Sequence, residues 1–377
     1  MDFELTESQK ILKKTARDFL ETECPKTLVR EMELDEKGYS PQLQRKMADL
    51  GWLGLIFPEK YGGTGGDFVD LMVLLEEVGR ALLPGPFFST VVLGGLPILE
   101  VGSEEQKQRF LPEIAKGEIN LTMALAEPDS RYNVDSIGVK AIRDKNEYIV
   151  NGTKLFVPHA HIADFLICVA KTKERAPAGE GISLFIIDNK SPGITCNVLA
   201  TIAMDKQCEV LFKDTRVAEG SILGELDQGW ASLEKSLQKA SVALCAEMIG
   251  GMQQVLEMTV DYAKQRVLFG RPIGSFQLIQ SHCVRMLGLL EDSRLLTYEA
   301  GWKLSQGLPC AKEVSMAKAQ ANEAYRTITT LGHGIHGGTA YCVDHDVNLY
   351  YRRAKSTDVS FGDADSHRER VAVELGL

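Results

Sequence analysis

The sequence predicts an α+β protein in three parts: a helical N-terminal domain over 1–118, a middle β domain over 119–228 and a C-terminal four-helix bundle over 229–377. Three observations carry that prediction. Helical periodicity runs from Leu5 to about Gly117; short β-branched and aromatic runs broken by Gly, Asn, Asp and Pro follow; long helical patterns return from about Gly229.

In the first part, Thr6 and Gln9 have the spacing of a capping box, and Ile11, Ala16, Phe19 and Leu20 form an apolar stripe behind it. PQLQRKMADLGWLGL and DFVDLMVLLEEVGRALL carry further helical patterns, parted by FPEKYGGTGG, where Pro and clustered Gly interrupt the chain. SEEQKQRFLPEIAKGE reads as a short helix with Gly117 near its end. In the second part, NLTMALAEP, EYIVNG, TKLFVP, ADFLICVAKT and GISLFIIDN read as strands, and the NG between EYIV and TKLFVP is the sharpest hairpin signal in the chain. In the third, GWASLEKSLQKASVALCAEMIGGMQQVLEMTVDYAKQR, SFQLIQSHCVRMLGLLEDSRLLTYEAGWKL and CAKEVSMAKAQANEAYRTITTLGHGI are long helices. Their lengths suit an antiparallel bundle with largely buried faces, some against another copy of the chain.

Composition narrows the function classes. With 44% hydrophobic and 25% charged residues the chain has the balance of a soluble globular protein. A net charge of −10 leaves no basic footprint for a nucleic-acid backbone. No apolar run approaches the ~20 residues that span a bilayer, and MDFELTESQK lacks the pattern of a signal peptide, so the reading is cytoplasmic. The 8 cysteines are scattered without a CxxC pair and are expected as reduced thiols.

MALAEPD, EYIVNGTKLFVP, YAKQRVLFGRPIGSFQLIQ, HGIHGGTAY and YYRRAKSTDVSFGD, together with GWLGLIFPEKYGGTGG and GSEEQKQRFLPEIAKGE, resemble the acyl-CoA dehydrogenase family along essentially the whole chain. The resemblance implies FAD between the β domain and the C-terminal helices, with a neighbouring subunit closing over the adenosine end. Flavin asks for backbone donors and acceptors around its pyrimidine ring and an apolar or aromatic wall. By position, Met123, Leu125 and Ala126 match the family's strand at the flavin ring, and Phe156, Val157 and Pro158 match its tryptophan-isoleucine-threonine segment. Ala126 and Pro158 stand where hydroxyl side chains help hold the flavin, and Pro158 has no N–H to offer.

Across the subunit boundary the family uses an arginine, a phenylalanine and a glutamine, here Arg266, Phe269 and Gln277. Arg266 suits the pyrophosphate charge and Gln277 the ribityl or adenosine end. Gly337 and Gly338 allow close backbone approach on the adenine side. Taken singly these residues have plainer readings: an arginine closing a helix C-terminus, a glycine pair in a turn, a phenylalanine in the core. His159 with His161 and His333 with His336 have ligand-like spacing, but no carboxylate or cysteine completes a set, and no metal is expected.

The family's reaction removes the α-proton of an acyl-CoA with a carboxylate while the β-hydride goes to flavin N5. Here Phe361 occupies the place of the usual glutamate, and Ala240 the second known location of the base. Ser241 follows where an arginine commonly meets CoA. Two solutions stay open. Asp363, with Asp358 and Asp365 nearby, is a displaced base, although an Asp beside Gly also suits the cap of a helix starting near Ser366. Alternatively, the chain is the base-less half of a mixed oligomer with a paralogue. The resemblance further implies Phe88 and Ser89 in GPFFSTVV at the floor of the acyl pocket, and an electron-transfer flavoprotein as acceptor. The expected function is oxidation of an acyl-CoA to its α,β-unsaturated form, by an atypical base or as a subunit of a heteromeric dehydrogenase. Its rival is a non-catalytic partner that completes the FAD site of a paralogous chain.

Overall fold

The computed structural model describes residues 4–128, 136–174, 177 and 179–377. In chain order it places α1 (Glu7–Glu23), α2 (Lys26–Leu34), α3 (Pro41–Asp49), α4 (Phe68–Ala81), α5 (Leu96–Val101) and α6 (Glu104–Ala115) ahead of the strands. The strands are β1 (Leu121–Ala124), β2 (Lys140–Asp144), β3 (Glu147–Pro158), β4 (Phe165–Lys171), β5 (Ile182–Asp188), β6 (Ile194–Leu199), β7 (Gln207–Ala218) and β8 (Ile222–Leu223). After them come α7 (Gly229–Gln265), the short strands β9 (Val267–Leu268) and β10 (Arg271–Pro272), and α8 (Gln277–Ser305). The chain closes with α9 (Ala311–His336), α10 (Asp346–Val359) and α11 (Ala364–Glu374). It divides into two compact units, one of Met1–Arg30, Asp67–Leu83 and Ser241–Leu377, the other of Glu31–Gly66 and Pro84–Ala240. No helix among the described residues is long and apolar enough to cross a membrane.

The second unit is built on one sheet, ordered β6-β7-β3-β2-β4-β5-β8, with β1 parallel to β4. Apolar side chains from the strands, among them Val150, Val157, Leu166, Phe185, Val210 and Phe212, make its dry face. The expected hairpin at Asn151–Gly152 is not there. β3 runs through both residues, and the turn that joins β2 to β3 lies at Lys145–Asn146, with Lys145 at φ +59°. Gly152 instead marks a bulge: its φ is +137°, the register against β7 shifts between Val150 and Gly152, and a Cβ there would lie 2.8 Å from Cγ2 of Val139. The glycine serves a close backbone approach, not a turn.

In the first unit Thr6 and Gln9 form the expected reciprocal box at the start of α1. Ala16 and Leu20 are buried, whereas Ile11, read as part of the stripe, is 64% exposed. α4 is the apolar partner of α1, yet it buries Glu76 and Glu77. Glu77 takes a two-pronged ion pair from Arg17 at 2.8 and 2.9 Å, and Glu76 pairs with Lys13. α9 packs against α8, α10 and α11, so its polar residues Lys318, Asn322 and Thr329 are buried with its alanines. α10 was not anticipated; its sequence DVNLYYRRAKSTDV is too polar for a clear apolar stripe, and the helix buries Leu349, Tyr350 and Ala354 while packing against α9.

Candidate active site

In the sheet-bearing unit, the two segments matched to the flavin ring lie side by side. Met123 and Leu125 are buried, and the tail of β1 is tied to β3 by the Leu155 N–H donating to the Ala126 carbonyl at 2.8 Å. Lys154, with no exposed surface, donates to the Leu125 carbonyl at 3.0 Å and to Oε1 of Glu127 at 2.6 Å. Glu127 also accepts from the N–H groups of Gly138 at 2.7 Å and Val139 at 3.1 Å. This buried ion pair fixes the loop 125–127. Burial, stronger than the attraction of Glu127, pulls the Lys154 ammonium below the ordinary lysine range.

Next to the clasp the β3–β7 register slips again between Lys154 and Val157. Within that bulge Phe156 adopts φ +52° and leaves 59% of its surface exposed. A bulky residue held in the left-handed region is strained, and such strain persists where a side chain must be aimed. Val157 is buried, and Pro158 pairs in register with Gln207 without a donor of its own. Phe88 is half-buried. Ser89 is buried in a π-helical segment over Ser89–Gly95, its hydroxyl donating to the Pro86 carbonyl at 3.0 Å. Ala240 is wholly buried within α7.

The other unit holds the remaining site residues. α7 ends at Gln265, and β9 and β10 form a small hairpin turned by Phe269 (φ +52°) and Gly270 (φ +78°). Arg266 and Gln277 are exposed at its two feet, and Phe269 at its tip is 93% exposed. Arg271 lies over the ring of Phe276 at 4.3 Å, stiffening the hairpin. Gly337 and Gly338 follow α9, with nothing within 4 Å of the Cβ position of either. His336 beside them stacks on Tyr262 at 4.4 Å and hydrogen-bonds the Gly332 carbonyl at 3.2 Å through Nδ1; burial pushes its pKa down to about 4. His333 bonds the Thr329 carbonyl in the same way at 3.0 Å. His161, in the sheet-bearing unit, points Nε2 at the carbonyls of Glu36 and Lys37 at 3.1 and 3.2 Å. Ser241 is buried at the start of the last stretch of its unit.

Phe361 sits in the turn between α10 and α11 at φ +61°. Asp363, two residues on, is the N-cap of α11: its Oδ1 accepts the Ser366 N–H at 2.8 Å, and that bonding holds its carboxyl below the ordinary range. The carboxylate is thus committed to the helix start. Sequence reasoning missed the side chains that support these positions, Lys154 and Glu127 at the strand edge and Lys318, Asn322 and His367 at the turn. The one available signal was a lysine set among small and apolar residues, in SMAKAQAN.

Family models for acyl-CoA dehydrogenases match the chain in three stretches: the N-terminal domain at 6–118, the middle domain at 122–215 and the C-terminal domain at 227–376. A 3-(aryl)acrylate reductase of Clostridium sporogenes is 32% identical over 377 residues, 98% of this chain and 99% of the relative. The structure of butyryl-CoA dehydrogenase from Megasphaera elsdenii superposes with a TM-score of 0.92 at 29% identity, covering 100% of both chains. A chain of the ChsE4-ChsE5 complex from Mycobacterium tuberculosis does so with 0.91 at 26% identity, covering 100% of this chain and 99% of that one.

Proposed function

The chain belongs to the acyl-CoA dehydrogenase family of oxidoreductases, and from that premise we propose that it is one subunit of a heteromeric, FAD-dependent acyl-CoA dehydrogenase, completing the flavin site of a paralogous chain that supplies the base. One observation carries the reading. The positions that would serve this chain's own substrate hold Phe361 and Ala240, with Asp363 engaged as a cap, while the residues it would lend to a neighbour stand exposed on the β9–β10 hairpin.

The fit of FAD differs at the two places. At the strand edge Ala126 has no hydroxyl, Pro158 has no N–H, and the carbonyls of Leu125 and Ala126 already accept from Lys154 and Leu155. At the hairpin, Arg266 offers a guanidinium to a pyrophosphate, Gln277 an amide to the ribityl or adenosine end, and Phe269 an unburied ring. Bound there, the flavin would take the β-hydride of a CoA thioester whose α-proton goes to the paralogue's carboxylate. An electron-transfer flavoprotein as acceptor and the cytoplasm as compartment belong to the same reading. A mixed assembly has a precedent in the ChsE4-ChsE5 complex.

A second reading rests on Phe156, whose exposed ring in a strained bulge is the aromatic wall a flavin needs; in it the chain keeps FAD in its own cleft. Expression alone and with a paralogue of the family separates the two. We expect a colourless chain alone and a yellow complex that bleaches with an acyl-CoA. A yellow chain that bleaches by itself would sink the heteromeric proposal.

A further inference from the structure

Lys318 is a buried titratable group that the proposed function leaves unused, and its partners are unusual for a lysine. Its Nζ donates to Oδ1 of Asn322 at 2.5 Å, to the Thr357 carbonyl at 3.1 Å and to the Gly362 carbonyl at 3.3 Å. Three donors meet three oxygens, none of them a carboxylate. Asn322 Nδ2 in turn donates to the carbonyls of Asp358 at 2.9 Å and Gly362 at 3.4 Å. From α11, Nε2 of the buried His367 faces the Phe361 carbonyl at 3.2 Å, and because a carbonyl only accepts, that nitrogen carries the proton. The carbonyls of residues 357, 358, 361 and 362 are therefore all held by side chains of α9 and α11.

Two of those carbonyls belong to the last turn of α10, where a cation suits the unsatisfied ends and the helix dipole. A helix cap alone would stop there. The contacts to Phe361 and Gly362 lie beyond the helix, on a stretch of backbone that L-residues avoid, φ +61° and then +111°. Gly362 is confined as well: a Cβ on it would come 3.1 Å from Nε2 of His367.

We propose that Lys318 is a positioning residue: with Asn322 and His367 it locks the 357–362 backbone, so that the side chain at 361 leaves the turn in one fixed direction whatever its identity. The mount of the family's usual base is thereby intact in a chain that carries a phenyl ring on it. The shape of the loop is set by these buried partners and not by the side chain at 361. The inference does not depend on the heteromeric reading.

The test places 4-fluorophenylalanine at position 361 of the full chain and reads it by ¹⁹F NMR. The parent is expected to give one narrow resonance, and Lys318→Met to broaden it or move it most of the way to the free amino acid's shift. Lys154→Met, which removes an equally buried lysine elsewhere, is expected to leave the resonance in place. An unchanged resonance in Lys318→Met overturns the proposal, as does equal movement in Lys154→Met, since general loosening would then be the cause. If Lys318→Met does not fold, Asn322→Ser is read in its place, and an unmoved resonance there overturns the proposal too.

Discussion

The positions matched by resemblance to flavin ring and base, and the β9–β10 hairpin, differ in what surrounds their side chains. In the sheet-bearing unit Ala126 and Pro158 stand at a strand edge held by Lys154 on Glu127; in the other unit Phe361 stands on a turn whose 357–362 carbonyls are held by Lys318 and Asn322. At the hairpin, the side chains stand in solvent, Phe269 with 93% of its surface exposed. The lysine supports have a structural role of their own, since a buried lysine clasp or a helix cap contributes to local order whatever the activity. An exposed phenylalanine contributes little to stability; in the heteromeric proposal its ring meets the neighbouring chain.

The largest effect expected from that contrast concerns the proton. In the mixed assembly, changing the paralogue's base carboxylate to the amide should lower turnover by about 10²–10⁴-fold, and Phe361→Glu in this chain should not restore it; surviving turnover would place the base here and erase the contrast. Next comes the hairpin. Arg266→Gln should weaken FAD retention in the complex by roughly 10–100-fold, the worth of a charge-assisted hydrogen bond, read from the fluorescence of released flavin; undiminished retention removes the hairpin from the site.

A third experiment asks how dry the base turn is. Burial pushes the Lys318 pKa down to about 8, against about 10.4 in the unfolded chain. Between those values the unfolded state binds more protons, so the cost of the buried charge is full below pH 8 and is relieved as pH rises toward 10.5. The parent should therefore gain on the order of 2–3 kcal/mol relative to Lys318→Met between pH 7 and pH 10, measured as the difference in urea midpoints; parallel pH curves would mean a hydrated amine. The smallest effect belongs to Asp363→Ala, which should cost about 1 kcal/mol as a lost cap and leave flavin bleaching in the complex unchanged. Abolished bleaching would return Asp363 to the role of base.

Much of this was legible in the residues. Periodicity separates helices from strands, Thr6–Gln9 and Asp363–Ser366 announce their caps, and the linked motifs carry the family. What was misread had a common cause: Asn151–Gly152 has the chemistry of a turn, but Val139 crosses beneath it and makes a bulge, and Ile11 has the spacing of a core residue on a helix whose buried stripe is narrower. α10 has no clear apolar stripe of its own and buries its apolar residues in tertiary contacts, with α9 among its partners.

The sequence by itself determined the order of helix, sheet and helix, the absence of a carboxylate at positions 240 and 361, and the presence of Arg266, Phe269 and Gln277. Those are matters of side-chain identity and local period. Only the tertiary structure decided that Phe156 and Phe361 stand in left-handed backbone, and that two buried lysines hold the loops concerned. A hydrogen bond between distant residues and a strained φ depend on what packs around them, and no local window of the chain contains that information.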